Sequence, residues 1–233
     1  MRAVTPGSRR RLRVADLAEA NLRTVATQRS AGRRFDREYG VTTHAVLFLS
    51  DLDPDAAGDA AAHATHYEAV PVGDFRALIA QLPRDARTGA TFVDIGAGMG
   101  RALLLAAEYP FKQVVGVEVS PGLYEVAKEN LERANDAKRR CRDLRVVRAD
   151  ARLWNYPPGD VVAFLYNPFD GPALEATLAA LLGRRDPGAT WLLYHTAVER
   201  ALVERDATWK AVADLGFGAV YHALPRTSRS FCE

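Results

Sequence analysis

The sequence predicts an α/β fold in which helices cover both faces of a mostly parallel sheet. From Thr91 onwards, short apolar runs alternate with helical stretches, which is the pattern of parallel strands joined by crossover helices. The strand-like runs are TFVDI, QVVGVEV, LRVVRA, VVAFLY and TWLLYH. Two further strand-like runs within ATWKAVADLGFGAVYHAL flank a tight glycine-containing turn, which predicts an antiparallel hairpin at the end of the sheet.

The helical elements follow in order along the chain. Residues 12–33 are predicted to form an N-terminal helix, because their apolar residues approximate one face. The small and polar stretch DPDAAGDAAAHATHYEAVP indicates a loop or a lid. Asp74 to Leu82 is predicted to be a helix that Pro83 helps to end, and further helices are expected at roughly 100–108, 121–134 and 172–183.

Length and composition limit the classes of protein to be considered. The 233 residues suit one α/β domain with an extension, and no apolar run reaches the ~18 residues of a membrane helix. The first residues, MRAVTPGSRRRLRV, lack the apolar core of a signal peptide. The cysteines, Cys141 and Cys232, have no metal-binding spacing. We expect a cytoplasmic protein without a metal site or a membrane partner.

Positive charge is concentrated at the N-terminus. Residues 1–40 contain ten Arg and four acidic residues, whereas residues 41–233 contain 21 basic and 25 acidic residues. A basic arm of this kind can contact nucleic acid or an acidic partner, and it can equally be a solvated terminus. We favour the solvated terminus, because the arm has little aromatic interleaving and no nucleic-acid motif.

The stretch VDIGAGMGRALLLAAEYP carries the first ligand-binding signal. It places Gly96, Gly98 and Gly100 between a strand and a helix, where glycine lets the backbone turn sharply and a ligand approach. A dinucleotide site needs glycine or alanine where this sequence has Arg101. Asp94, just before the loop, would repel a pyrophosphate but attract a positively charged ammonium. These features favour S-adenosylmethionine over a dinucleotide.

Acidic residues end the next two predicted strands. Glu118 can accept hydrogen bonds from both ribose hydroxyls, and Asp150 can accept one from the adenine amino group. Val119 can pack against the adenine face, and the Ala151 amide can meet the ring edge. Open α/β sheets bind ligands at the carboxyl ends of their strands, so these residues predict one site for the methyl donor.

With these motifs the sequence resembles the class I S-adenosylmethionine-dependent methyltransferases. The resemblance covers about residues 67–233 and implies a Rossmann-like, seven-stranded, mostly parallel sheet with an antiparallel last strand. It implies a catalytic domain over residues 67–233, preceded over residues 1–66 by the basic arm, a helix and a cap or lid segment. The product of the cofactor would be S-adenosylhomocysteine. The implied cofactor contacts come from the glycine loop, the strand-end acids and their neighbours: Asp94, Gly96, Ala97, Gly98, Gly100, Glu118, Val119, Asp150 and Ala151.

The end of the fourth strand faces the transferred methyl group in this fold, and here it carries LYNPFDGP. The stretch is similar to the (Asp/Asn/Ser)-Pro-Pro-(Tyr/Phe) signature of enzymes that methylate amino groups. Its second Pro is missing, which puts methylation of nucleic-acid bases in doubt. The resemblance implies that Asn167 lies at the cofactor and orients the acceptor nitrogen by accepting its hydrogen bond. Pro168 would fix the turn, and Phe169 would stack on a planar amine or stabilise a cation.

A partial likeness extends to the non-SET histone lysine methyltransferases. These enzymes carry an Asn and aromatic residues before Gly-Pro at this strand end, and NPFDGP is a variant of that pattern. They also carry a Tyr-Gly-Glu-Thr element before the glycine loop, and Tyr67 and Glu68 are placed like that element. Tyr67 is therefore expected to close over cofactor or acceptor. The run FVDIGAGMGRALLLAAEYPFKQVVGVEVS is also similar to a group of bacterial methyltransferases whose substrates are mostly unassigned.

The sequence thus predicts in-line methyl transfer to an amine-type acceptor, on either a protein side chain or a small molecule. Transfer to oxygen or carbon of a small molecule is an alternative, as are methylation of RNA or DNA bound by the Arg-rich arm and a non-catalytic module. A hydroxyl acceptor would need a base, and His195 is the best-placed residue, although such a histidine is more often a polar strand end. His63 and His66 have i, i+3 spacing but lack a nearby acid pair, so we expect no metal.

Overall fold

The structure of the protein is a computed structural model that describes residues 28–48, 66–166 and 170–223. Several sequence-based predictions lie outside these residues. They are most of the basic arm, the first part of the predicted N-terminal helix, most of the lid segment with His63, and the motif Asn167, Pro168 and Phe169.

A seven-stranded sheet forms the centre of the described part of the chain. Its strands are β3 (Thr91–Ile95), β4 (Gln113–Glu118), β5 (Leu144–Arg148), β6 (Gly159–Tyr166), β7 (Pro187–His195), β8 (Lys210–Asp214) and β9 (Gly218–Ala223). Their order across the sheet is β5-β4-β3-β6-β7-β9-β8. Strands β3 to β7 pair in parallel, and β9 is antiparallel to its neighbours β7 and β8. The predicted sheet and its antiparallel last strand are therefore confirmed.

The remaining elements surround this sheet. A separate antiparallel pair contains β1 (Val46–Phe48) and β2 (His66–Glu68). The described part of the first helix, α1, covers residues 28–39. The other helices are α2 (Val72–Ala80), α3 (Ala86–Gly89), α4 (Arg101–Ala106), α5 (Pro121–Arg133), α6 (Gly171–Leu182) and α7 (Arg200–Arg205).

Some element boundaries differ from the predictions. Helix α1 continues to residue 39, past the predicted end at residue 33. Phe35 and Tyr39 are four residues apart, and both are buried with their ring centroids 4.4 Å apart, so packing extends this helix. Helix α7 was not predicted, because its single buried residue, Val203, gives no apolar periodicity.

Strand β3 lies at the centre of the sheet, and all five of its residues are buried. Phe92 packs against the rings of Phe75, Phe111 and Phe164, whereas Val93 belongs to a second apolar cluster. A strand that is covered on both faces has a continuous apolar sequence, which is why TFVDI could be recognised. The carboxyl ends of β3 to β7 lie along one edge of the sheet, which we call the carboxyl edge. Parallel sheets of this kind bind ligands there.

Candidate active site

The glycine loop, residues 96–100, follows β3 at the carboxyl edge and is held against β4. Its first two amides donate hydrogen bonds to the Val117 carbonyl oxygen at 2.9 and 3.0 Å, and its third donates to Glu118 Oε2 at 2.7 Å. The three glycines have φ values of 79°, 53° and 87°, a region that favours glycine. Three amides of the loop already donate to β4. The loop therefore offers a ligand mainly a backbone surface that the ligand can approach closely.

Asp94 lies two residues before the glycine loop and is 3% exposed. Its Oδ2 atom has no hydrogen-bond partner among the described residues. Burial raises the pKa of the Asp94 carboxyl well above its usual value, and the nearby Glu118 carboxylate raises it further. Leaving a buried carboxyl without a partner costs free energy, so a positively charged ligand group at this position would be stabilising.

Glu118 ends β4 and is also buried. One carboxylate oxygen accepts from the Gly98 amide at 2.7 Å, and the other accepts from the Ser120 amide at 2.8 Å. Burial raises the pKa of Glu118, while the backbone hydrogen bonds lower it. Each oxygen can accept a second hydrogen bond, so the carboxylate can still take two hydroxyl donors. This capacity fits the ribose role predicted from the sequence.

Asp150 follows β5 and is partly exposed, with 22% of its side chain accessible. Its two oxygens accept hydrogen bonds from the Arg152 side chain at 2.7 to 3.1 Å. Ala151 is buried, and Val119, after the neighbouring strand, is half-buried. An adenine amino group would therefore share the Asp150 carboxylate with Arg152, and the predicted adenine contacts stay predictions.

Tyr67, which was predicted to close over the site, lies directly against the glycine loop. A Cβ atom built on Gly98 would be 2.3 Å from Tyr67 Cε2 and 2.4 Å from Cδ2, so the ring requires glycine at this position. The Tyr67 hydroxyl donates to the Thr43 carbonyl oxygen at 2.7 Å, and burial raises its pKa. Tyr67 therefore packs on the glycine loop and acts as a neutral side chain near pH 7.

A polar and aromatic cluster, which we call the acceptor cluster, lies at the ends of β6 and β7. It contains Glu68, Asp74, Tyr166 and His195. The Tyr166 hydroxyl donates to Glu68 Oε2 at 3.0 Å, and His195 Nε2 is 3.0 Å from Asp74 Oδ2. The Tyr166 and His195 rings meet edge-on, with their centroids 4.4 Å apart. Tyr166 is the residue directly before the Asn167 motif, so this cluster marks the predicted acceptor side.

Both ring nitrogens of His195 have a polar neighbour within hydrogen-bond distance. Nε2 faces Asp74, and Nδ1 is 2.9 Å from the Thr196 hydroxyl. Burial lowers the pKa of His195, and the neighbouring Asp74 opposes that shift. A neutral ring would donate through Nε2 and accept through Nδ1, which leaves no free lone pair for a proton from substrate. His195 therefore fits a role in orienting Tyr166 better than a role as a base.

Thr196 has a backbone φ of 48°, which is strained for a β-branched residue. Its hydroxyl contacts His195, and its amide donates to the Phe217 carbonyl oxygen at 2.8 Å. Strain of this kind persists where surrounding contacts enforce it, and functional sites are common locations. The strained position thus adjoins the acceptor cluster.

Carboxyl groups surround the ends of β6 and β7. Glu68 and Asp74 contact Tyr166 and His195, as described above. Asp170 caps α6 by accepting from the Ala173 amide. The Glu199 carboxylate lies 3.6 Å from the position a Cβ on Gly171 would take. These acids place negative charge around the ends of β6 and β7.

Sequence reasoning did not find the pairs that build the acceptor cluster. Glu68 and Tyr166 are 98 residues apart, and Asp74 and His195 are 121 residues apart. The sequence signal that could have indicated this cluster is the position of Tyr166 and His195, which end two predicted strands that follow one another along the chain. Within the described residues, no group of three or more His, Cys, Asp or Glu side chains could hold a metal ion. Among those same residues, no helix combines the length and apolarity needed to cross a bilayer.

Comparison with known proteins gives a match to a family and to one curated relative. Residues 92–185 match a family described as a methyltransferase domain. A release factor glutamine methyltransferase from Geobacter sulfurreducens is 42% identical over 65 residues, which cover 28% of this chain and 23% of that protein. The chain therefore spans less than a quarter of this relative's length.

Solved structures of similar shape include two methyltransferases. Magnesium protoporphyrin IX methyltransferase from Synechocystis PCC 6803, with bound SAM, is 11% identical and has a TM-score of 0.47 over 93% of this chain and 99% of that chain. An RNA methyltransferase from Salinibacter ruber, in complex with S-adenosyl-L-homocysteine, is 17% identical and has a TM-score of 0.46 over 71% of this chain and 99% of that chain.

Residues 92–185 match a methyltransferase domain, and the sheet has the mostly parallel order with an antiparallel last strand that the sequence resemblance implied. Class I methyltransferases, which the sequence resembles, use S-adenosylmethionine as their cofactor. The predictions of fold class, enzyme class and cofactor are confirmed at the level of the domain. The contacts assigned to individual cofactor-binding residues stay predictions.

Proposed function

We propose that this chain methylates an amine nitrogen, on a protein side chain or a small molecule, with S-adenosylmethionine as donor. The observation that carries the choice of methyl donor is the Asp94 carboxyl, which is buried beside the glycine loop and whose Oδ2 has no partner among the described residues. An ammonium group is the ligand chemistry that this position stabilises best. The amino-acid part of S-adenosylmethionine provides such a group.

The chain's own residues supply binding and orientation. Asp94 would hold the ammonium, Glu118 the ribose hydroxyls, and Asp150 with Ala151 the edge of the adenine, against which Val119 packs. When bound, S-adenosylmethionine supplies an electrophilic methyl group on a positively charged sulfur. The protein contributes alignment of the acceptor and exclusion of water rather than covalent chemistry.

The acceptor chemistry is inferred from the Asn167-Pro168-Phe169 sequence and from the acceptor cluster. In this proposal, Asn167 accepts a hydrogen bond from the acceptor nitrogen and aims its lone pair, while Pro168 fixes the turn. Phe169 offers a π face to the cationic product. The carboxyl groups of the acceptor cluster attract a protonated amine, which must lose a proton before or during attack. Glu68 is an exposed carboxylate at this site and would receive that proton or pass it to water.

The same negative charge argues against a nucleic-acid acceptor. Phosphate groups approaching the ends of β6 and β7 would meet Glu68, Asp74 and Glu199. The Arg-rich residues at the N-terminus favour an RNA or DNA acceptor by charge alone, so they supply the competing hypothesis. A binding assay that varies salt concentration separates the two, since phosphate contacts make affinity steeply salt-dependent.

Product analysis tests the proposed acceptor chemistry. The protein is incubated with isotope-labelled S-adenosylmethionine and a panel of alkylamines, lysine peptides, hydroxyl compounds and RNA, and mass spectrometry locates the label. We expect the label on nitrogen. We also expect Asn167→Ala to lower kcat by about a hundredfold while the Kd of S-adenosylhomocysteine changes little, because misaligned acceptors react slowly.

Asn155→Ala is the matched control, because Asn155 is an exposed asparagine in the loop after β5. It should leave both kcat and Kd unchanged. A label recovered only on oxygen, carbon or RNA would refute N-methylation. Equal losses of kcat and cofactor affinity in Asn167→Ala would refute its role at the acceptor.

A further inference from the structure

We propose that residues 35–44, which we call the N-terminal segment, complete the cofactor site, and that Arg101 is the positioning residue through which they act. The inference rests on the proposed function, because it concerns the affinity for the same cofactor. The sequence had placed these residues in the extension before the catalytic domain, and it had assigned Arg101 an acid partner or a capping role at the loop but no catalysis. Three buried contacts link the N-terminal segment to the glycine loop, and each contact involves a different side chain.

Arg101 provides the first link. It directly follows the glycine loop, begins α4 and is 4% exposed. Its Nε donates to Thr43 Oγ1 at 2.8 Å, and its two terminal nitrogens lie 3.4 Å from Asp36 Oδ1 and from the Val70 carbonyl oxygen. Its guanidinium also lies 5.4 Å from the centre of the Phe35 ring. Arg101 thus has four contacts, and three of them are with residues of the N-terminal segment.

Asp36 organises the part of the segment that receives Arg101. Its carboxylate accepts from the Thr43 amide and from the His44 amide, both at 2.8 Å, and from the Thr43 hydroxyl at 2.5 Å. These bonds hold the loop after α1, residues 40–44, against the end of that helix. The Thr43 hydroxyl is therefore oriented to donate to Asp36 and to accept from Arg101.

Tyr67 provides the second link. Its hydroxyl donates to the Thr43 carbonyl oxygen at 2.7 Å, while its ring lies on Gly98 at the centre of the glycine loop. Asn130 of α5 provides the third link and is fully buried. Its side-chain amide donates to the carbonyl oxygens of Thr42 and Met99 at 2.8 and 2.9 Å, and its oxygen accepts from the Thr42 amide at 3.0 Å.

These links act on three points of one short loop. Asn130 holds Met99, Tyr67 covers Gly98, and Arg101 fixes the first residue of α4. Burying an arginine is costly unless its donors are satisfied, and a planar guanidinium can satisfy several acceptors at once. The contacts therefore hold the glycine loop in one shape before the cofactor arrives, which lowers the conformational cost of binding.

The test compares two buried arginines at opposite ends of the sheet. Arg184 is 6% exposed and bonds to the Leu181, Gly159 and Gly188 carbonyl oxygens and to Thr190 Oγ1, remote from the glycine loop. Arg101→Met and Arg184→Met should both lower Tm. We expect Arg101→Met to raise the Kd of S-adenosylhomocysteine by about tenfold in calorimetry, with Arg101→Lys in between, whereas Arg184→Met changes it less than about twofold.

Hydrogen exchange in the ligand-free protein gives a second measurement. Amides of the glycine loop should exchange faster in Arg101→Met and at the unmutated rate in Arg184→Met. If Arg101→Met does not fold, Thr43→Val replaces it, because this change removes the hydroxyl between Asp36 and Arg101 at similar volume. Its control is Thr177→Val, since the buried Thr177 hydroxyl has no hydrogen-bond partner among the described residues.

The outcomes separate this inference from the proposed function. Unchanged affinity and unchanged loop exchange in Arg101→Met or Thr43→Val, in a protein that binds S-adenosylhomocysteine, would overturn the role of the N-terminal segment alone. A tenfold loss confined to these variants would support it. If the unmutated chain binds no S-adenosylhomocysteine, both the proposed function and this inference are wrong.

Discussion

At the scale of single residues, the candidate active site is built around carboxyl groups that are costly to bury. Asp94 and Glu118 are both buried next to the glycine loop, and burial raises the pKa of each. Glu118 recovers part of that cost through two backbone amides, whereas Asp94 Oδ2 has no hydrogen-bond partner among the described residues. A site arranged in this way is less stable without its ligand and binds a cation well.

We predict that Asp94→Asn stabilises the ligand-free protein and weakens cofactor binding. The folded-state pKa of Asp94 is raised above its unfolded value, so the unmutated protein loses stability as pH rises through that folded pKa. The neutral amide avoids this loss, so the gain in Tm should be small near pH 4 and should grow towards pH 8. Thermal unfolding across this pH range measures the gain.

The same variant should bind S-adenosylhomocysteine at least about tenfold more weakly, because the ammonium loses its carboxylate partner. Calorimetry at pH 7.5 provides this value. A variant that is less stable than the unmutated protein throughout the pH range, and that binds the ligand equally well, would contradict the role given to Asp94.

At the scale of secondary-structure elements, close packing of α4 and the glycine loop on β4 holds the proposed cofactor site together. A Cβ atom on Gly116, in the middle of β4, would lie 2.7 Å from Leu103 Cδ1 and 2.8 Å from Ala97 Cβ. Leu103 belongs to α4 and Ala97 to the glycine loop, so glycine at this position lets both approach the strand. This approach brings the loop amides within reach of Val117 and Glu118.

We predict that Gly116→Ala lowers the free energy of unfolding by about 1–3 kcal/mol, because a methyl group here overpacks a dense core. Gly89→Ala is the matched control, since a Cβ at Gly89 has no atom within 4 Å and the residue lies in helix α3. That change should be neutral or slightly stabilising. Chemical denaturation of both variants measures the difference, and equal stabilities would show that β4 tolerates the added methyl group.

The elements that were predicted well are those with a strong local signal. Strand β3 matches TFVDI residue for residue, because a strand that is buried on both faces is apolar throughout. Helix α5 differs from its prediction by one residue, since Ser120 caps its start and Pro121 suits its first turn. The pair of β1 and β2 was not predicted, because its partners are distant in sequence and each is three residues long.

At the scale of the whole molecule, the described part of the N-terminal region and the sheet form one packed body. Phe35, Tyr39 and Val41 belong to the same apolar cluster as Phe92 and Leu103. The sequence indicated a boundary near residue 66, and it could not show that Arg101, Tyr67 and Asn130 link residues 35–44 to the glycine loop. That information lies in long-range contacts, such as those of Asp36 with Arg101 and of Thr42 with Asn130, which have no local pattern.

The candidate site divides in the same way between local and long-range information. The glycine loop, Glu118 and Asp150 could be recognised because they lie at the ends of three predicted strands that follow one another in the sequence. The acceptor cluster was missed because it joins β2, α2, β6 and β7 through side chains that lie about a hundred residues apart in sequence. Sequence patterns thus located the proposed donor half of the site, whereas the contacts on the acceptor half required the folded chain.

The most direct test of the central claim is a calorimetric titration of the unmutated protein with S-adenosylhomocysteine, with NADH as the control ligand. We predict one binding site with a Kd in the micromolar range, about −8 kcal/mol, and no measurable heat with NADH. Asp94 attracts an ammonium and repels a pyrophosphate, which is the physical reason for this difference. A protein that binds no S-adenosylhomocysteine, or that binds NADH more tightly, would contradict the account.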